Sequence, residues 1–163
     1  MHDALESFVS EVKSLGFLVK LDTNGSYPLR LAELLNSEKI DYVAMDIKNT
    51  PCKYAKTIGL KEYDFAPIAE SMKLLSSSEI EYEYRTTVVR EFHTADDICA
   101  IAKLISESIC KKSSASQAGY YLQCFEDTEN VLQKGLSGYS AEEMQNISAR
   151  AGEILKNTVI RGG

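Results

Sequence analysis

Short apolar runs rich in β-branched and aromatic residues alternate along this chain with stretches whose apolar residues recur every three or four positions. That alternation constrains the fold more than any single residue does. A period-two strand cannot settle as a helix, nor a period-3.6 helix as a strand. Strands are predicted at Phe17–Leu21, Ile40–Lys48, Tyr82–Val89 and Tyr120–Phe125, with "TVIRGG" as a short final strand. The first helix, Asp3–Leu15, sets Leu5, Phe8, Val9 and Val12 on one face, and Gly16 stops it. Helices follow at Pro28–Leu35 and Phe65–Leu75. The next is opened by Thr94 and Asp97 and carries Ile98, Ile101, Ala102 and Ile105. The last, Ser140–Leu155, is opened by Ser140 and Glu143 and turns Met144, Ile147, Ala151 and Ile154 inward. Residues 49–64 and 111–119 read as connections. Strands and helices in strict alternation imply an α/β fold with a parallel sheet joined by right-handed crossovers, and residues 1–163 read as a single domain.

Charge narrows the function. The 163 residues carry a net charge of −6 and have no basic cluster longer than Lys111-Lys112, which argues against a nucleic-acid-binding face. No apolar run reaches the length of a membrane span and no signal sequence opens the chain, so a cytoplasmic protein is expected. Cys52, Cys99, Cys110 and Cys124 show no C-x-x-C spacing, and His2 and His93 are too far apart to suggest a metal site. Free thiols are expected.

In parallel α/β folds, ligands bind beyond the carboxyl ends of the strands. The first strand runs into Asp22, Thr23 and Asn24, the second ends in Asp46 and Lys48, the third carries Arg85 and the fourth Gln123. Each has a local explanation. "DTNG" is a good turn, because Asn-Gly tolerates positive φ and Asp bonds its own backbone. Asp46 with Lys48, and Glu83 with Arg85, alternate on one face and can pair as salt bridges. Taken together, acids, bases and amides gathered at one rim suit a zwitterionic ligand with a ribose. Lys48 or Arg85 meets a carboxylate, Asp22 or Asp46 accepts from an ammonium or hydroxyls or helps hold a cation, and Thr23, Asn24 and Gln123 fix orientation.

The segments "GFLVKLDTNGSYP", "IDYVAMDIKNTPCKY", "IEYEYRTTVV" and "YYLQCF", in this order, resemble the radical S-adenosylmethionine activating enzymes of glycyl radical enzymes. The anaerobic ribonucleotide reductase activating proteins are nearest in motif, through "RTTVV", "LQ-x-F" and the late "VIRGG", with the pyruvate formate-lyase activating enzymes as near relatives. The resemblance covers essentially the whole chain. It implies a partial (β/α)6 TIM-type barrel, S-adenosylmethionine and a [4Fe–4S] cluster in the complete protein, and a glycyl radical enzyme as partner. It further implies that Asp22, Thr23 and Asn24 line the S-adenosylmethionine site and that Asp46 and Lys48 flank its methionine and ribose parts. Arg85 would reach it from the next strand, and Gln123 would lie on the adenine side. The family's C-x-x-x-C-x-x-C cluster motif and its Gly-Gly-Glu segment are absent from this sequence. The chain therefore reads as the C-terminal part of such a barrel, without the N-terminal strands, and as inactive alone, with no catalytic or metal-ligating residue of its own. A non-catalytic half-barrel that docks on a partner, and an unrelated barrel fragment for a small metabolite, are the rival readings. The missing strands would leave Phe17–Leu21 at an open edge inviting self-association, and would leave the inner barrel face as a bare apolar patch.

Overall fold

The computed structural model describes residues 5–109 and 118–162. Cys110 and most of the connection expected at 111–119 lie outside them. The described chain runs α1 (Leu5–Ser14), β1 (Lys20–Thr23), α2 (Pro28–Asn36), β2 (Tyr42–Asp46), α3 (Pro51–Thr57), α4 (Ala66–Ser77), β3 (Glu81–Val88), α5 (Ala95–Ser108), β4 (Gly119–Cys124), α6 (Ala141–Ile154) and β5 (Thr158–Arg161). Its strands form a parallel sheet in the order β1-β2-β3-β4-β5. Sequential order with right-handed crossovers puts the helices on one face and curls the sheet into part of a barrel. The helices form a row over that face, α2 against α4, α4 against α5 and α5 against α6.

Period-two alternation divides each strand between two environments. Val43 and Met45 on β2 with Ile47 just beyond it, Tyr84 and Val88 on β3, and Tyr120 and Leu122 on β4 are fully buried beneath the helices. There they meet Leu31, Met72, Ile101 and Met144 from the helical row. Both expected capping boxes are present. Thr94 accepts from the amide of Asp97 at the start of α5, Ser140 accepts from that of Glu143 at the start of α6, and each acid reaches back to the cap amide.

Four expectations are corrected. The connection at 49–64 contains α3, which Pro51 opens after the extended Thr50. Tyr54 anchors this helix, buried between Tyr63 and Phe65 with both ring centroids 5.2 Å away. The first strand begins at Lys20 rather than Phe17. The Asp41 carboxylate takes the amide of Val19, the Val19 carbonyl takes the amides of Asp41 and Tyr42, and the regular ladder starts only where Lys20 meets Tyr42. Phe17 and Leu18 are left exposed, and so are Phe8 and Ile154, which the helical spacing had turned inward. The inner barrel face, finally, is not an apolar patch but a polar surface, described next. Among the described residues β1 pairs with β2 alone and is an edge of the sheet, as expected.

Candidate functional site

Strand register builds the concave face. Asp22 lies beside Ala44, Ala44 beside Glu83, and Glu83 beside Gly119. One rung further along, Asp46, Arg85, Tyr121 and Val159 line up. The next rung holds Thr87, Gln123 and Arg161. The small residues at Ala44 and Gly119 make room for larger neighbours. A β-carbon on Gly119 would lie 2.7 Å from the Tyr121 ring.

Arg85 is the centre of the upper cluster. Its Nε donates to Asp46 Oδ1 at 2.9 Å and its Nη1 to Asp22 Oδ2 at 3.1 Å, so one guanidinium joins acids from two other strands. Lys48 Nζ donates to the second oxygen of Asp46 at 2.9 Å. The side chain of Arg85 is only 12% exposed. Burial alone would favour its neutral form, but the two carboxylates prevail and hold it more firmly charged than usual. Of the expected site residues, Asp22, Asp46, Lys48 and Arg85 converge. Gln123 stands apart, one rung beyond Tyr121, and accepts from the Thr87 hydroxyl at 3.3 Å. The side chains of Thr23 and Asn24 serve the turn. Thr23 Oγ1 accepts from the amide of Gly25 and Asn24 Oδ1 from that of Ser26. "DTNG" is thus a turn whose first residue, Asp22, reaches the Arg85 cluster.

A second cluster, which sequence reasoning did not find, surrounds Glu83. The Glu83–Arg85 pairing drawn from the sequence does not form. Arg161, from the last strand, grips the Glu83 carboxylate with both terminal nitrogens at 2.8 and 3.0 Å. The Tyr42 hydroxyl donates to it at 2.9 Å and Lys20 Nζ lies 3.4 Å away. The guanidinium stacks over Tyr121 at 3.8 Å. Burial by itself would push the Glu83 carboxyl up, yet Arg161 and Tyr42 outweigh it and hold the group below its usual 4.5. A carboxylate depressed in the folded state stabilises the fold above its unfolded value, and that stability is lost as pH falls through the folded value.

Removing Arg161 leaves a carboxylate that is 3% exposed with weaker partners, whereas Arg161 itself is 41% exposed and loses little to desolvation. Arg161→Ala should therefore cost about 2–3 kcal/mol at pH 7, below the full cost of a broken buried pair because Tyr42 and Lys20 remain. The deficit should shrink as pH falls below the usual 4.5 and on through the lowered folded value, where the wild-type carboxylate is itself protonated. Urea denaturation at a series of pH values measures both. An equal deficit at acid and neutral pH would show that Arg161 acts by packing rather than by charge.

Cys52, Cys99 and Cys124 are free thiols on α3, α5 and β4, as expected of them. No group of three or more His, Cys, Asp or Glu side chains among the described residues converges as a metal site. No helix among the described residues is long and apolar enough to cross a membrane.

No protein-family model matches the chain. Over 164 aligned residues it is 30% identical to a protein of Methanocaldococcus jannaschii named as a candidate glycyl-radical enzyme activating enzyme. The match takes in 98% of this chain and 65% of that protein, so the chain spans a little under two thirds of the relative's length. Its fold superposes with a TM-score of 0.75 on the crystal structure of a domain of pyruvate-formate lyase-activating enzyme from Bacteroides vulgatus, over 97% of this chain and 89% of that one, at 12% identity. The likeness read from "LDTNG", "MDIK" and "RTTVV", and the partial-barrel fold it implied, are both borne out.

Proposed function

We propose that this chain, whose likeness to a glycyl-radical enzyme activating enzyme runs along 98% of its length, forms the S-adenosylmethionine-holding part of a radical activase. One observation carries the reading. At the carboxyl ends of parallel strands, the largely buried Arg85 bridges Asp22 and Asp46 while Lys48 shares Asp46. Opposite charges held this way are pre-set for a zwitterion. Arg85 and Lys48 receive the methionine carboxylate. Asp22 and Asp46 receive the ammonium and the ribose hydroxyls, and Gln123, with the Thr23–Asn24 turn, limits the orientation. S-adenosylmethionine bound there supplies, when reductively cleaved, the hydrogen-abstracting power that is turned on a glycine of the partner enzyme.

The thiols among the described residues do not fit a [4Fe–4S] cluster. Cys52, Cys99 and Cys124 stand on separate elements, and no three metal-ligating side chains converge among the described residues. Reductive cleavage is accordingly assigned to the complete protein and not to these 163 residues, which by themselves bind and orient the cofactor without turning it over. The partner in this reading is a glycyl radical enzyme of the anaerobic ribonucleotide reductase or pyruvate formate-lyase type. The open edge of β1, with Phe17 and Leu18 exposed just before it, is proposed to pair with a second copy when nothing else covers it.

Titration of the isotopically labelled chain with S-adenosylmethionine tests the site. Nuclear magnetic resonance shifts are expected at Asp22, Asp46, Lys48 and Arg85, with weak affinity. Shifts confined to other surfaces, or none at all, would remove the assignment. Light scattering of the same samples over a concentration series should show association that Leu18→Lys reverses, and a monomer at every concentration would exclude edge pairing.

A further inference from the structure

The exit of β2, where Lys48 leaves the sheet, is held by a buried imidazole that the proposed function does not use. His93 lies in the β3–α5 connection and is 1% exposed. Its Nε2 is 2.8 Å from the carbonyl oxygen of Lys48. Its Nδ1 is 3.1 Å from the backbone nitrogen of Val89 and 3.2 Å from the Val89 carbonyl oxygen. These neighbours decide where the proton sits. The Val89 carbonyl already accepts the amides of Phe92 and His93, whereas the Val89 amide needs an acceptor. Nδ1 is therefore the bare acceptor, and Nε2 carries the hydrogen donated to Lys48.

The adjoining residue is fixed to the same connection. Asn49, fully buried, donates through Nδ2 to the Phe92 carbonyl at 3.0 Å and to Thr57 Oγ1 at 2.9 Å, and its Oδ1 accepts the Thr50 amide at 2.7 Å. The connection is in turn anchored from α6's side, where the Tyr139 hydroxyl donates to the His93 carbonyl and Arg90 forks onto Glu143 at 2.9 and 2.6 Å. Lys48 stands only two positions after the Asp46 whose carboxylate its ammonium pairs with, so the path of the backbone at Lys48 sets where that ammonium can reach.

We infer that neutral His93 is a positioning residue: by donating from Nε2 to the Lys48 carbonyl, it fixes the backbone from which Lys48 presents its ammonium to Asp46 and to the ligand. This rests on the reading of Lys48 as a ligand-binding group. The charged groups acting on the ring are Asp97 on α5 and Lys53 on α3, which neutralise one another across 2.7 Å; Lys48 meets it through its backbone carbonyl, its ammonium being on Asp46. Burial lowers the His93 pKa below its usual 6.5, which keeps the ring neutral at physiological pH.

The test uses the labelled chain with S-adenosylmethionine as probe. The sequence has only two histidines, so long-range proton–nitrogen spectra resolve both rings. His93 should appear as the neutral Nε2–H form at pH 7 and stay so below pH 6.5. An Nδ1–H ring, or a charged ring at pH 7, overturns the inference. His93→Phe, which keeps the bulk and loses the donor, should move the Lys48 carbonyl carbon resonance and weaken S-adenosylmethionine about fivefold, the scale of one hydrogen bond. His93→Gln, which keeps an amide donor of similar reach, should recover most of that loss. His93→Phe made on top of Lys48→Ala should weaken binding no further than Lys48→Ala does alone. Additive losses, no rescue by Gln, or an unmoved Lys48 carbonyl would each overturn it. Should Lys48→Ala leave affinity unchanged, the ligand reading of Lys48 fails, while the tautomer and the Lys48 carbonyl still report on what His93 holds.

Discussion

Gly25→Ala is expected to destabilise the protein by about 2–4 kcal/mol, the sum of a backbone cost and a packing cost. Gly25 has φ +72, in the left-handed region, where a β-carbon costs about 1 kcal/mol or more. A β-carbon there would also lie 2.1 Å from Cε of Met45 and 3.3 Å from Cβ of Ser71. A methionine tip usually yields, but Met45 is completely buried in the main core, so yielding means overpacking at about 1–3 kcal/mol. The turn is tied on both sides as well. The Gly25 amide donates to Thr23 Oγ1 at 3.1 Å, and its carbonyl accepts the Ser71 hydroxyl from α4 at 2.8 Å. Gly135 is the internal control. It has φ +81, and a β-carbon added to it would meet nothing within 4 Å, so Gly135→Ala should lose only the backbone part. Urea denaturation midpoints of the two variants measure the difference. Equal losses would mean that the close approach to Met45 carries no energy. Because Asp22 stands three residues before Gly25, the same substitution should also blur the upper cluster, visible as lost resonance dispersion at Arg85.

What was legible in the sequence was whatever short-range chemistry decides. The capping boxes at Thr94 and Ser140 are four-residue patterns and formed as read. The strands around Val43, Tyr84 and Leu122 are apolar runs too short to be anything else once helices flank them. The rim acids and bases followed from strand direction. Partner choice was not legible, because it depends on register. Glu83 and Arg85 share a face two residues apart, yet Arg85 lies directly beside Asp46 on β2, while Glu83 sits between Ala44 and Gly119 with open space that Arg161 fills from 78 residues away. No local pattern marks Arg161 as belonging to a site. The expected apolar inner face failed for a related reason. Lys20, Tyr42, Glu83 and Arg85 sit at the alternate positions of strands whose other residues supply the core, so a strand reading focused on burial passes over them. α3 was hidden because its only core residue is Tyr54, and one residue has no period.

Arg85→Ala is expected to weaken S-adenosylmethionine binding by at least about tenfold, and to do so with little loss of stability. Two costs have to be separated. Asp22 is 59% exposed, so water can replace the guanidinium there, and Asp46 keeps Lys48 at 2.9 Å. The fold therefore loses about 1 kcal/mol, as for a partly solvated ion pair. A ligand carboxylate has no such substitute. The variant removes a charge-assisted contact worth about 1.5–3 kcal/mol, which is about 10- to 150-fold in affinity. It also leaves Asp22 and Asp46 facing the ligand with less positive charge between them, so a carboxylate end is repelled while an ammonium end is not. Arg85→Lys sharpens the argument. A lysine keeps the charge but is a single point, and it cannot donate to Asp46 through one nitrogen and to Asp22 through another as the guanidinium does. It should recover stability almost fully and affinity only in part. Titrations of the three proteins, paired with their denaturation curves, test this. If Arg85→Ala loses stability and leaves S-adenosylmethionine affinity at the wild-type value, the bridge between Asp22 and Asp46 serves the barrel alone, and the cofactor lies elsewhere on the concave face.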